Sequence, residues 1–281
     1  MTAVAAAAPA VPRRSALAFV RRHVLTVYAL LALVYLLLPI GVVIAFSFNR
    51  PAGRFNYTWQ QFTLDNWRNP LGVPGLQSAL ELSLEIAALS SIAATALGTL
   101  IALALVRYSF RGRGATNMLI FVPMTSPEIV LGASLLAMFL NWNVPLGFST
   151  ILIAHVMFNI SYVVVTVRAR LVGFDRHLEE AAMDLGANEW TTFRKVTLPL
   201  IAPGILAALL LAFALSVDDF VITNFNAGAE VTFPMYVWGA ARVGVPPQVN
   251  VIGTLIFAIA ILAMLGNVLL QMRRARKGAP S

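Results

Sequence analysis

The feature that most constrains this chain is a series of apolar runs of about 20 residues, joined by loops that alternate between strongly basic and nearly uncharged. A helix of that length crosses a hydrocarbon core about 30 Å thick. Inside lipid the backbone must satisfy its own hydrogen bonds, so such runs fold as helices. Composition agrees: 59% of the 281 residues are apolar and only 11% are charged, against roughly 25% charged in a soluble domain. The expected fold class is an all-α polytopic membrane protein.

Val24 to Phe46 is free of charge for 23 residues, too long for a signal-peptide core. Residues 1–23, with Arg13, Arg14, Arg21 and Arg22 and no acid, therefore read as a short tail before an uncleaved first span. The second span runs from about Ala79 to Val106. The third, about Ala115 to Leu140, is interrupted by Pro123, Pro127 and Glu128. The fourth ends at Val167, and a polar stretch from Arg168 to Pro203 precedes the fifth, about Gly204 to Ile222. The sixth ends near Leu270. This gives one six-span domain over 24–272, with a cytoplasmic loop at 168–203 and a basic tail at 273–281.

Sixteen of the 20 Lys and Arg fall in the N-terminal tail, the loops after spans two and four, and the C-terminal tail. Arg50, Arg54, Arg68 and Arg242 lie on the other side. Excess Lys and Arg marks the cytoplasm, so both termini are expected inside and the span count is even. The formal net charge of +8 thus reports topology and gives no reason to invoke nucleic acid. The outer loops and spans together hold more acids than bases, which suits the receipt of a cation.

The absence of cysteine excludes disulfides, thiolate catalysis and Cys-ligated metals. His23, His155 and His177 are far apart, and no zinc-hydrolase motif occurs. The two lysines, Lys195 and Lys277, each follow an arginine, so there is no phosphate-binding loop of the Walker type. No cofactor is expected in this chain, and ATP with its Mg belongs on a partner.

The loop between spans four and five is the most informative stretch. Asp175 is an N-cap, Leu178 to Leu185 suits a short helix and Gly186 its stop. Asn188 caps a second short helix before Pro199 and Pro203. Leu178, Ala181, Ala182 and Leu185 form a narrow apolar stripe with small residues at its centre, which permits close approach by another surface. Glu180-Ala181-Ala182, three residues, Gly186, nine residues, Val196, one residue and Leu198-Pro199 match the EAA signature E-A-A-x3-G-x9-I-x-L-P with only Val for Ile. The chain resembles ABC importer permeases on these residues.

That resemblance implies a MetI-like transmembrane domain of a type I importer in the bacterial inner membrane. It implies no catalysis in this chain, a related permease subunit as partner, a cytoplasmic ATPase docked on the elbow and an extracytoplasmic binding protein. Ala181 and Ala182 would face the ATPase cleft, Gly186 would allow the turn and Glu180 would meet a partner cation or cap.

Acids inside spans are costly, about 2.5–3.5 kcal/mol near the centre, and mark function by default. Counted from Gly204, Asp218 and Asp219 fall beyond the midplane towards the outside, and Glu128 falls near mid-depth after Pro127. Glu81 and Glu85 share one face of span two. No base within the spans neutralises them, which suggests a cationic guest, with Phe220, Phe225, Tyr236 and Trp238 available for cation–π contact. Ser216 to Gly228, Phe233 to Tyr236 and Pro127 to Leu136 resemble the C-type subunit of spermidine/putrescine importers. The resemblance implies that Glu128, Asp218 and Asp219 meet ammonium groups along a polyamine path; Glu81 and Glu85 depart from the subfamily's pattern, and Glu85, Phe220, Tyr236 and Trp238 are candidates for the path on their own chemistry.

His155 reads as a buried neutral residue partnered by Asn159 at i+4. Other readings are a permease for a different small solute, and a secondary transporter driven by an ion gradient. The second accounts for the acids but leaves the EAA loop without explanation.

Overall fold

A computed structural model describes residues 16–277, apart from 174 and 176. Residues 1–15 and 278–281 of the expected tails lie outside the described residues. The chain is helical, and among the described residues the only β pairing is an isolated bridge between Asn49 and Phe62. It divides into two compact units, residues 71–245 and residues 1–70 with 246–281.

In the second of these units, α1 (Ala16–Ser47) packs against α12 (Pro247–Lys277), which also meets the one-turn α2 (Asp65–Arg68). The segment after α1 is tied by buried asparagines. Asn49 Nδ2 donates to Asn56 Oδ1 at 2.6 Å, and Asn66 Nδ2 donates to the carbonyls of Ser47 and Asn49 at 3.0 Å each. Stacking of Phe48 on Phe62 and Trp67 closes the turn. Along α1, Val24, Leu31, Leu36 and their neighbours are exposed, as expected of a helix whose surroundings are apolar rather than aqueous.

The larger unit is built on α3 (Leu76–Arg107), α6 (Phe148–Val172) and α9 (Leu198–Asp218), which pack pairwise. Their shared core alternates small and branched residues, with Ala94 and Ala102 from α3, Val163 and Val167 from α6, and Ala208 and Ala212 from α9. Small residues let membrane helices approach closely. Gly98 shows how closely: a β-carbon there would lie 2.6 Å from Val163 Cγ1. A second cluster joins Leu135 and Phe139 of α5 (Glu128–Asn141), Ala154 and Phe158 of α6, and Ile222 of α10 (Val221–Asn226). The N-terminus of α11 (Phe233–Val243) docks on α3, where the Phe233 N–H donates to Ser83 Oγ at 2.8 Å.

Two expected spans take a different form. The third is two helices, α4 (Arg113–Thr125) and α5, bent by 110° at Ser126–Pro127. Pro127 lacks an N–H and disfavours helical geometry at Ser126, so the helix must restart. The fifth span ends at Asp218 and does not reach Ile222. Its start is not a fresh helix after two prolines. The short α8 (Glu189–Thr192), a π-helical turn (Phe193–Thr197) and α9 run as one 30-residue helix. The wide π turn relieves the clash that the Pro199 ring would make with the preceding turn.

Among the described residues, four helices are long and apolar enough to cross a membrane, or five if the bent pair counts as one span. The described apolar part of α12, Pro247–Leu262, is shorter than the rest. Four or five of the six expected spans are thus met among the described residues.

Candidate functional site

Two places in the larger unit hold the residues singled out by the sequence. The first is the elbow. Asp175 caps α7 (His177–Asp184) through its carboxylate, which accepts the His177 N–H at 3.0 Å. Gly186 stops the helix at φ +89°, a left-handed conformation, with the Ala187 N–H bonded back to the Ala182 carbonyl at 3.1 Å. Nothing lies within 4 Å of where a Gly186 β-carbon would stand, so the backbone alone requires the glycine. Asn188 caps α8 by accepting the Thr191 N–H at 2.8 Å.

No residue of α7 is buried. Leu185 is 91% exposed and Trp190 67%, and Leu178, Ala181 and Pro199 are exposed too, whereas Ala182 and Val196 are half-buried. Leu198 is on the exposed side at 37%. Glu180 is exposed and meets His177 Nδ1 at 3.1 Å. The carboxylate that faces inward is its neighbour Glu179, whose Oε1 accepts hydrogen bonds from Arg107, the last residue of α3, and from the Thr197 hydroxyl. None of Arg107, Glu179 and Thr197 was singled out in the sequence as a contact. Two further arginines near the elbow end of α6 also bind helices together: Arg168 donates to Asn117 Oδ1 at 2.8 Å, and Arg170 donates to the Leu200 carbonyl at 3.3 Å.

The second place is the break between α9 and α10. Asp218 is the last residue of α9 and is exposed. The helix of 21 residues is about 30 Å long at 1.5 Å per residue, so Asp218 lies at the end of α9 opposite the elbow. Asp219 turns the other way. Its carboxylate caps α10, accepting the Thr223 N–H at 2.8 Å and the Thr223 hydroxyl at 2.7 Å, and stands 3.3 Å from His155 Nε2.

Both His155 nitrogens are used: Nδ1 lies 2.6 Å from Ser216 Oγ and Nε2 lies 2.9 Å from Thr223 Oγ1. Ser216 Oγ in turn accepts from Ser90 Oγ at 3.1 Å. The expected His155–Asn159 bond is not made, and among the described residues the Asn159 amide has no partner. The acid partner of His155 comes from the break after α9, 64 positions further along the chain, so spacing within one span could not reveal it.

Around the break, Phe220 packs on Trp238 with ring centroids 5.1 Å apart, and Arg242 lies 5.3 Å from the Trp238 centroid. Tyr236 packs beside Gly75, and its hydroxyl donates to the Pro74 carbonyl at 3.4 Å. Phe225 is half-buried and packs against Gly132 of α5. Glu128, Glu81 and Glu85 are exposed, and Glu81 accepts from Gln77 at 2.8 Å. Glu128 opens α5, the helix packed on α10, so it belongs to the same region of the unit as the Asp218 break.

The sequence matches the family described as binding-protein-dependent transport system inner membrane component over residues 94–275. The chain belongs to this family. As a member of it, the chain is 39% identical over 243 residues to the spermidine/putrescine transport system permease protein PotC of Escherichia coli (strain K12), covering 86% of this chain and 91% of that protein. It is 37% identical over 270 residues to the putrescine transport system permease protein PotI of the same strain, covering 90% and 95%. Solved structures share the fold of this inner membrane component. A bacterial ABC transporter involved in the import of the acidic polysaccharide alginate matches with a TM-score of 0.64 at 18% identity, over 93% of this chain and 99% of that one. The MetNI methionine ABC transporter in an inward-facing form matches at 0.55 and 15%, over 71% and 95%. Identities this low speak to the fold alone.

Proposed function

We propose that this chain is the six-span permease subunit of an ATP-driven, binding-protein-dependent importer of polyamines such as putrescine and spermidine, with both termini in the cytoplasm. Its likeness to PotC and PotI along nearly the whole of both relatives supports the cargo. It pairs with a related permease subunit, takes cargo from an extracytoplasmic binding protein, and draws on a cytoplasmic ATPase dimer that holds ATP and Mg.

The observation that carries the coupling role is the elbow. An apolar ridge of Leu178, Leu185 and Trp190 stands uncovered on a helix pair whose turn is set by Gly186. Exposed apolar groups gathered on a polar segment mark a docking surface. The EAA residues Glu180, Ala181, Ala182, Gly186, Val196, Leu198 and Pro199 form or support that surface.

Cargo meets Asp218, Glu128 and Glu85, which are exposed acids, and the aromatic group of Phe220, Tyr236 and Trp238. Asp219 contributes from behind, by fixing the break that presents Asp218. The test is to identify by mass spectrometry the solute that copurifies with the cognate binding protein. A linear polyammonium compound is expected, and an anionic or neutral solute overturns the cargo assignment.

A further inference from the structure

We infer that Glu179, Arg107 and Thr197 form the joint that makes the elbow and the inner end of α3 move as one body. The inference rests on the coupling role proposed above and goes beyond the elbow's docking surface, because none of the three residues lies on it. Glu179 precedes the EAA residues, and Thr197 fills the unspecified position between Val196 and Leu198. The signature therefore says nothing about either.

The geometry is a three-way junction. One carboxylate oxygen of Glu179, on α7, accepts from the Arg107 guanidinium at the end of α3 and from the Thr197 hydroxyl at the start of α9. Arg107 also donates to Thr197 Oγ1 at 3.3 Å, closing the triangle. The Glu179 and Arg107 side chains are only 16% and 29% exposed, and Thr197 is fully buried. A charge-assisted pair shielded in this way holds its geometry better than a solvated one, and loss of either partner strands the other.

Each arm leads to a different element. Through Thr197 the elbow is continuous with α9, whose far end carries Asp218. Through Arg107 it grips α3, a 32-residue helix of about 48 Å, whose other end receives α11 at Ser83. Covalent continuity delivers an elbow displacement directly to α9, and to α3 only through side-chain packing. The Glu179 bridge delivers the same displacement to α3, and so to the helix that carries Tyr236 and Trp238.

The test uses the assembled transporter in proteoliposomes, reading both ATP hydrolysed and labelled putrescine taken up. Glu179→Gln and Arg107→Ala each should lower uptake per ATP at least tenfold while the ATPase subunits still copurify. The exchange Arg107→Glu with Glu179→Arg should recover most of that ratio, which a merely structural requirement for these side chains does not explain. The natural chain has no cysteine, so the pair Arg107→Cys with Glu179→Cys can be bridged by a short bis-thiol reagent. Bridged transporter is expected to regain coupled uptake, because the two ends move together.

An unchanged uptake-to-ATP ratio in the single variants overturns the inference, and so does inactivation on bridging. If the single variants fail to assemble, the bridging result alone decides. Failure of the wild-type transporter to move putrescine on ATP would instead count against the proposed function, and the ratio can then be read with whatever cargo it does move.

Discussion

His155 Nε2 stands 3.3 Å from a carboxylate oxygen of Asp219, while the carboxylate of Asp218, one residue earlier, is exposed. The helix break between them explains the difference. Ending α9 at Asp218 lets the next carboxylate fold back as the cap of α10, where α6 supplies a histidine and Ser216 and Thr223 complete the set. Two adjacent acids of the same type therefore have separate tasks, one holding the break in place and one facing outward.

Asp219→Ala should destabilise the protein and Asp218→Ala should not. Removing the Asp219 carboxylate orphans the buried Thr223 N–H, which costs about 1–3 kcal/mol, and takes one partner each from the Thr223 hydroxyl and His155. The melting temperature of the detergent-purified transporter should fall by several degrees for Asp219→Ala and stay within about a degree for Asp218→Ala. Equal shifts would remove the distinction.

Asp218→Asn should weaken transport without touching basal ATP hydrolysis. The change keeps size and hydrogen bonding and removes the charge offered to an ammonium group. Putrescine uptake at limiting concentration should fall about tenfold, consistent with loss of one charge-assisted contact of about 1.5 kcal/mol. A parallel fall in ATP hydrolysis by the assembled complex would point to a structural role for Asp218.

Gly186 separates backbone from contact effects. Its φ of +89° disfavours side chains, yet a β-carbon there meets nothing within 4 Å. Asn enters the left-handed region readily and β-branched residues do not. Gly186→Asn should retain ATPase assembly, and Gly186→Val should lose most of it, as read by copurification of the ATPase subunits. If both assemble equally, the left-handed turn is not what the elbow needs.

At Gly98 the reverse holds, because the obstacle is a neighbouring side chain. Gly98→Ala should lower the melting temperature by a few degrees, and adding Val163→Ala, which removes the methyl group 2.6 Å from the new β-carbon, should restore part of the loss. Gly41→Ala, with nothing within 4 Å, serves as the neutral comparison. A loss at Gly98 no larger than that at Gly41 would mean the α3–α6 approach sets no limit there.

Periodicity and charge placement made the helical class, the elbow and its caps legible, because Asp175, Gly186 and Asn188 act through local backbone geometry. The 110° bend at Ser126–Pro127 was visible only as an interruption, since proline announces a break and not its angle. Pro199 and Pro203 read as the entry to the fifth span, whereas the π turn carries the helix through them from Glu189. The contacts of His155 and Glu179 stayed hidden for another reason. Their partners lie 64 and 72 positions away, and one chain carries no signal linking such pairs.

ATP-dependent uptake of radiolabelled putrescine into proteoliposomes that hold the assembled transporter and its binding protein tests the central claim most directly. The account predicts accumulation that requires ATP inside the complex's cytoplasmic side, survives collapse of proton and sodium gradients, and is competed by spermidine but not by neutral or anionic solutes. Uptake that persists without ATP and vanishes with an ion gradient, or accumulation of an anion in place of the polyamine, would contradict it.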